Sequence, residues 1–413
     1  MLKKLILENW KSFRYAELPI DPLTVLIGTN ASGKSNAIDA LDFLNRIALG
    51  QEIQASLVGN RILRPIRGGV EWATLKSEIQ FTLKVLIQGR QGRHECIDYL
   101  YGIKVETLPH VQLSDEFLLL MKHLSENNAE EKTPLFTTNT PSLSAPSITA
   151  NVYDTEPERK VEFRRSSSIL SQLKGLSMDV VEGTREVPKI LQNIFILNPL
   201  PSKMRNYSLL SESLESDASN IAGVLAALSE KQKAQVESTL STYVAHLPER
   251  DIQKVWAEKI GRFGTDAMLY CQEQWKPDET IEIDARGMSD GTLRFLAIVT
   301  ALLTRPEGSQ LVIEEVDNGL HPSRSNLLLR MLREIGEKRK IDILVTTHNP
   351  ALLDALDPEM IPFVVVAHRD SETGESKLTL LEDVENLPKL MASGSLGRLT
   401  TKGALERSLS DNR

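Results

Sequence analysis

An α/β fold built around a largely parallel sheet is what the order of elements predicts, and three observations carry it. A short apolar, β-branched run at 23–27 ends in a glycine-bearing loop, and a helical apolar period over 36–49 comes after it. Toward the other end, a helix over 290–303, a strand at 310–313, a helix over 323–335 and a strand at 341–345 alternate as parallel strands with crossover helices do. Between them, 79–85 and 97–103 alternate apolar and polar residues, so antiparallel strands join the same fold and the sheet content is mixed.

The opening residues, Met1 to Leu7, form an apolar run that stops at Glu8-Asn9-Trp10-Lys11. That run is too short for the core of a signal peptide and suits a first strand. No apolar stretch approaches the roughly 20 residues of a membrane span, so a soluble cytoplasmic protein without a membrane partner is expected. With 41% hydrophobic and 25% charged residues, the 413-residue chain has the balance of a globular protein and exceeds one ordinary domain. Its two cysteines, Cys96 and Cys271, lie far apart and outside any metal-ligand spacing, which reads as reduced thiols. A formal net charge of -8 excludes a surface that coats nucleic acid by charge alone and leaves only local basic contacts.

The domain expectation is an N-terminal half-head over 1–105, an inserted α+β lobe over 106–264, a C-terminal half-head over 265–385 and a tail over 386–413. Within the lobe, Asn, Glu, Thr, Ser and Pro dominate about 127–150, where a flexible tip is expected. Apolar periods at 221–228 and 236–247 predict helices.

Gly28-Thr29-Asn30-Ala31-Ser32-Gly33-Lys34-Ser35 fits the phosphate-loop pattern G-x-x-x-x-G-K-[ST], and it stands between a predicted strand and helix as that loop requires. Glycines let backbone N–H groups turn inward around phosphates, Lys34 neutralises the β and γ phosphates of ATP, and the Ser35 hydroxyl ligates Mg2+. Asn30, Ala31, Ser32 and Asn36 complete the expected cradle. Leu311-Val312-Ile313-Glu314-Glu315 ends a buried strand in two carboxylates that alternate in direction. Glu314 is assigned to the metal and Glu315 to the attacking water. His348, at the end of the strand at 341–345, can reach a γ-phosphate, and Asn349-Pro350 caps the next helix. Met288-Ser289-Asp290-Gly291-Thr292 opens a long helix whose amides, with Ser289 and Gly291, offer a second anion site.

In this order the motifs resemble the ABC ATPase superfamily, specifically the RecF-like and OLD-like soluble ATPases related to the SMC proteins. The resemblance covers about 1–105 and 195–357, including Leu5 to Phe13 as a first strand and turn, and Asn198-Pro199 through Arg205 with Asp217 to Asn220 before the lid helices. Leu320-His321-Pro322 looks like the segment after the acidic pair, with His321 better suited to a helix start than to a metal. The fold implied is a P-loop NTPase of ABC/RecF-like type with mixed and parallel sheets. The resemblance implies a head-to-tail homodimer or higher assembly in which Ser289 reaches nucleotide on the partner, with His348 as the switch histidine and a glutamine on the metal. Gln80 is the candidate for that glutamine and Gln91 the alternative.

Two substitutions depart from the family: Glu314 where Asp is usual, and Asp290 where the transporter signature has glycine. No long heptad pattern predicts a coiled-coil arm, and the stretch after Pro358 is shorter than a Toprim nuclease, so cutting would come from a separate effector. The expected activity is ATP hydrolysis driving a conformational switch on DNA or on an effector such as a nuclease, in phage defence or DNA maintenance. A nucleotide-gated scaffold with negligible turnover is the alternative. Arg64, Arg67, Arg164 and Arg165 are candidate phosphate or DNA contacts, each weighed against a solvated charge cluster.

Overall fold

The phosphate-loop strand Leu23–Ile27 is buried at all five positions. In the computed structural model, which describes residues 1–61, 63–91, 95–124, 129–139, 145–153, 159–173, 182–247 and 252–410, it lies inside a six-stranded sheet. The order is Ile194–Leu197, Gln310–Ile313, Asp342–Thr346, Leu23–Ile27, Val364–Arg369 and Ser376–Leu380. The first five run parallel and only the last pairs antiparallel. Continuous apolar runs belong in such strands because both faces are covered.

Alternation along these strands divides the molecule into two cores. Val25, Ile27, Leu311, Ile313, Ile343 and Val345 point into one, packed with the helices Ile221–Ala227, Glu230–Ala245, Asp290–Thr304 and Ser325–Arg339. Leu26, Val312, Leu344 and Val365 point into the other, shared with the helix Lys34–Ala48 and an eight-stranded antiparallel sheet. The order in that sheet is Phe13–Pro19, Leu2–Trp10, Gln80–Gln91, Glu95–Glu106, Gln112–Leu124, Ala129–Thr138, Ser147–Val152 and Arg159–Arg164. Trp10 anchors the junction of sheet and helix. Its ring meets Phe81 edge-on at 4.7 Å, and its indole N–H donates to the Asn36 carbonyl at 2.7 Å, at the start of the phosphate-loop helix.

The segment expected as an inserted lobe, 106–264, is distributed over all three sheets. Its first part extends the eight-stranded sheet, Ile194–Leu197 forms the edge of the parallel sheet, and Ser208–Leu209 and Ile252–Ile260 join Asp266–Lys276 and Glu279–Asp284 in a four-stranded sheet. Where composition predicts a flexible tip over about 127–150, the strands Ala129–Thr138 and Ser147–Val152 pair antiparallel, while 127–128 and 140–144 lie outside the described residues. Ile148, Ala150 and Val152 are buried at every second position, a period that the polar residues between them mask in the overall composition.

The predicted helix over 236–247 begins earlier, at Glu230, because its first turns face solvent and carry polar residues without an apolar period. The tail expected at 386–413 is packed through its described part. Leu396, Leu399 and Leu405 are buried, and Gly397 N–H donates to Asp354 at 2.6 Å. A Cβ at Gly397 would stand 2.2 Å from the Pro350 carbonyl oxygen, so only glycine permits that approach. Among the described residues no helix is long and apolar enough to cross a membrane.

Buried polar groups pin the large sheet. The Glu116 carboxylate accepts from Tyr101 Oη, Ser168 Oγ and the amides of Ile169 and Leu170, and so holds the chain after the last strand against the middle of the sheet. Arg165, expected as a surface contact, is buried. It donates to the carbonyls of Leu113 and Ala145 and faces Glu106 at 3.4 Å, a structural role.

Asp342 sits at the opposite end of the parallel sheet from the phosphate loop, beside Gln310 in register. Both are buried, and Asp342 Oδ1 and the Gln310 amide have no hydrogen-bond partner among the described residues. Burial pushes the Asp342 carboxyl up to about 7. The folded chain therefore keeps a proton that the unfolded chain releases from the ordinary carboxylate range upward, and stability falls as pH rises across that window to about 7. Asp342→Asn is expected to flatten that decline and to stabilise the protein at pH 8 by roughly 1–3 kcal/mol, measured by urea unfolding at pH 5 and pH 8. An unchanged pH slope in the variant would show that Asp342 does not cause it.

Candidate nucleotide site

The phosphate loop owes its shape to three residues in left-handed backbone: Gly28 at φ 141°, Ala31 at 62° and Gly33 at 114°. At Gly28 a Cβ would lie 2.2 Å from the Ala367 carbonyl oxygen, and at Gly33 it would lie 2.7–2.9 Å from Ser376 and Phe13. Both positions thus need glycine on two counts. The loop rims a cavity of about 290 Å³ lined by Asn30, Ala31, Ser32, Gly33, Lys34, Ser35 and Asn36, with Glu314, Glu315, Thr346 and Arg369 opposite.

Lys34 folds back over the loop and donates to the carbonyls of Gly28 at 2.6 Å and Thr29 at 2.9 Å. Burial lowers its ammonium from the ordinary lysine value, while Glu315 and Glu314 pull it back up. It stands beside a cavity into which seven loop residues converge. Ser32 Oγ is buried without a hydrogen-bond partner among the described residues, a donor left over for a ligand oxygen. Asn36 donates to Ser12 Oγ at 2.7 Å, which ties the start of the helix to the first hairpin.

Ser35 Oγ donates to Glu314 Oε1 at 2.5 Å. A hydroxyl and a carboxylate at that separation on the cavity wall form the oxygen donor set that Mg2+ takes beside a phosphate, so the residues present fit a magnesium–nucleotide pair. The two acidic residues reach the cavity differently from the expected strand alternation. The strand ends at Ile313, and Glu315 turns in left-handed backbone at φ 48°, its N–H fixed by Thr346 Oγ1 at 2.8 Å. That turn, and not the pleat of a strand, brings both carboxylates to one wall. Asn318 donates to Glu315 Oε2 at 3.2 Å, and His348 Nδ1 stands 3.9 Å from Glu315 Oε1.

Neither glutamine candidate lines the cavity. Gln80 opens its strand in register with Glu106, and Gln91, near the other end of that strand, donates to the Ile97 carbonyl at 3.5 Å. Gln80 is thus the first residue of its strand and outside the cavity lining.

Two arginines stand at the site, and of these sequence reasoning left only Arg369 unmentioned. Arg67, read as a surface phosphate contact, pairs with Glu314 Oε2, and Arg369 donates from Nε to the Ala31 carbonyl at 2.9 Å. Nothing in the linear sequence marks either, because their partners lie 247 and 338 residues away. Arg64 pairs instead with Asp217 at 3.2 Å. Burial works to raise the Asp217 carboxyl, but Lys203 and the hydroxyl and amide of Ser219 outweigh it and hold it at about 2.

The second anion motif lies outside this cavity. Ser289 caps the helix Asp290–Thr304, its Oγ accepting from Thr292 N at 3.1 Å. A Cβ at Gly291 would stand 2.5 Å from the Gly319 carbonyl oxygen, so glycine lets the helix start lie against the loop after Glu315. Arg205 donates to Asp290 Oδ1 at 2.7 Å and to the Met288 carbonyl at 2.8 Å, which offsets the carboxylate that departs from the family pattern. His321 caps the turn Pro322–Arg324, accepting from Ser323 N.

No curated protein matches the sequence. Among solved structures the chain is similar to an SMC head bound to the C-winged helix domain of ScpA, at 12% identity and a TM-score of 0.49 over 92% of this chain and 96% of that one. An SMC head domain from Thermotoga maritima gives 14% identity and 0.42, over 92% and 98%. An Smc head domain with an extended coiled coil, bound to the C-terminal domain of ScpA derived from Pyrococcus furiosus, gives 12% and 0.47, over 95% and 99%. The family model described as "AAA domain, putative AbiEii toxin, Type IV TA system" matches residues 23–354, from the phosphate-loop strand through His348. The match takes in the loop, the acidic pair and the capped helix together, and the chain belongs to this family of AAA-domain ATPases.

Proposed function

We propose that the chain binds ATP with Mg2+, hydrolyses it, and works as a conformational switch by pairing head to tail with a second copy. The observation that supports this most directly is the meeting of Ser35 and Glu314 inside a glycine-shaped loop that also holds a buried lysine. Gly28, Asn30, Ala31, Ser32, Gly33 and Asn36 cradle the phosphates, Lys34 offsets their charge, and Ser35 and Glu314 hold the metal. Bound there, Mg2+ supplies Lewis-acid stabilisation of charge on the phosphate oxygens. Gln80 stands outside the lining of this cavity.

Glu315 accepts a proton from, or orients, the water that attacks the γ-phosphate. Asn318 steadies one of its carboxylate oxygens and His348 faces the other. Ser289 and the amide of Gly291 lie outside their own chain's cavity, and a partner chain is what gives them a phosphate to meet. ATP then joins two heads, and hydrolysis releases them.

The output is a change in assembly passed to DNA or to a separate effector such as a nuclease, in a cytoplasmic defence or DNA-maintenance system. The family's description, with its reference to a toxin–antitoxin toxin, supports a partner-directed output of that kind. Turnover too slow to matter, with ATP as a gate only, is the second reading, and the turned Glu315 with its side chain 45% exposed favours it.

Purified wild type should hydrolyse ATP only with Mg2+, and Lys34→Ala should lose at least about 100-fold in turnover, measured by phosphate release. Glu315→Gln should bind ATP and shift to twice the monomer mass in light scattering. Wild type with no turnover but an ATP-dependent mass shift supports the gated scaffold, and neither activity nor mass shift contradicts both readings. Arg205→Ala exposes the Asp290 charge toward phosphate and is expected to weaken ATP-driven pairing by roughly 10-fold. Adding Asp290→Gly should restore it, read by sedimentation across protein concentration.

A further inference from the structure

We infer that Arg67 is a positioning residue that fixes the Glu314 carboxylate for its metal, and this rests on the Mg2+–ATP reading above. Glutamate at this position has one more rotatable bond than the aspartate usual in the resembling family. An untethered carboxylate samples more orientations and loses more entropy on coordination. Here the two oxygens of Glu314 are divided: Oε1 accepts from Ser35, and Oε2 is paired with the Arg67 guanidinium. The arginine therefore occupies the oxygen facing away from Ser35 and leaves Oε1 directed at the metal position.

A half-exposed ion pair on a surface contributes little, and the surroundings of Arg67 distinguish it from one. Lys11 Nζ, 5% exposed and paired with Asp39 at 2.5 Å, also donates to the Arg67 carbonyl at 2.8 Å. Arg67 Nη1 stands 3.7 Å from the other oxygen of the same Asp39, so Lys11 holds the Arg67 backbone and Asp39 of the P-loop helix faces its guanidinium. Before Arg67, buried Ile66 donates its N–H to the Leu57 carbonyl at 3.0 Å. After it, Gly68 turns at φ 80°, where a Cβ would stand 2.6 Å from that of Trp72, so the turn that aims Arg67 needs glycine. The guanidinium is thus placed by a buried lysine, an aspartate and a fixed turn before any ligand arrives.

The measurement is Mn2+ binding to the full chain by electron paramagnetic resonance in the presence of AMP-PNP, beside AMP-PNP affinity in EDTA. Arg67→Ala should weaken Mn2+ binding by about 10-fold or more, as loss of a partner holding a metal ligand does, and leave metal-free AMP-PNP affinity unchanged. Arg67→Lys should recover part of the loss. In a Glu314→Asp background, where the shorter side chain needs less orienting, Arg67→Ala should cost less than about 2-fold. Equal losses in the two backgrounds, no loss, or tighter Mn2+ binding in Arg67→Ala would each overturn the assignment, the last by showing a competing cation. Loss of near-ultraviolet circular dichroism in both Arg67→Ala and Arg67→Lys would overturn it too, because Arg67 would then serve the fold. Wild type that binds neither AMP-PNP nor Mn2+ would instead remove the ATP reading itself.

Discussion

The Glu314 carboxylate joins three segments that the chain keeps far apart: Ser35 at 279 residues and Arg67 at 247 residues in sequence, and its own turn beside Thr346. Contacts that distant cannot form from local preference, because the loop between them carries a closure cost that only a completed sheet offsets. The parallel order Gln310–Ile313, Asp342–Thr346, Leu23–Ile27 provides that sheet and sets the acidic pair one strand away from the strand leading into the loop. Alternate residues of these strands fill two cores, so a change of register by one residue would exchange the contents of both and displace the site.

Polar groups do a second kind of work by fixing places where apolar packing would allow more than one arrangement. Glu116 gathers four donors to close the large sheet onto the chain that leaves it, and Arg205 brings Asp290 under control at the start of the capped helix. Lys11 and Asp39 hold the segment that carries Arg67. Glu116, Lys11 and Asp39 are buried charges with defined partners, the condition under which such groups are tolerated, while Asp290 is exposed and paired. Asp342 and Gln310 break that rule at the opposite end of the sheet, where unpartnered polar atoms draw on stability and no substrate group converges.

Much of the site was legible because its chemistry is local. Gly28 to Ser35 must be contiguous to wrap phosphates, and a strand before and a helix after are visible as changes of hydrophobic period. Glu314 and Glu315 were legible as the end of an apolar strand, although their common direction comes from a left-handed turn at Glu315 that no periodicity announces. Arg67 and Arg369 act through partners far along the chain, and a linear string carries no signal for that. Gln80 rested on a residue type and an approximate position, and the structure places it at the start of a strand in register with Glu106, outside the cavity lining. Within the segment about 127–150, the strand Ser147–Val152 was hidden by composition, since polar residues on one face mask an apolar face with a period of two.

Calorimetric titration of the full chain with AMP-PNP, in Mg2+ and again in EDTA, decides whether the loop and the acidic pair together make one Mg2+-dependent nucleotide site. One site per chain is expected in Mg2+, with affinity weaker by about 10-fold or more in EDTA, since Ser35 and Glu314 would then lack the ion that links them to phosphate. Equal affinity in both conditions, or no binding in either, would refute it.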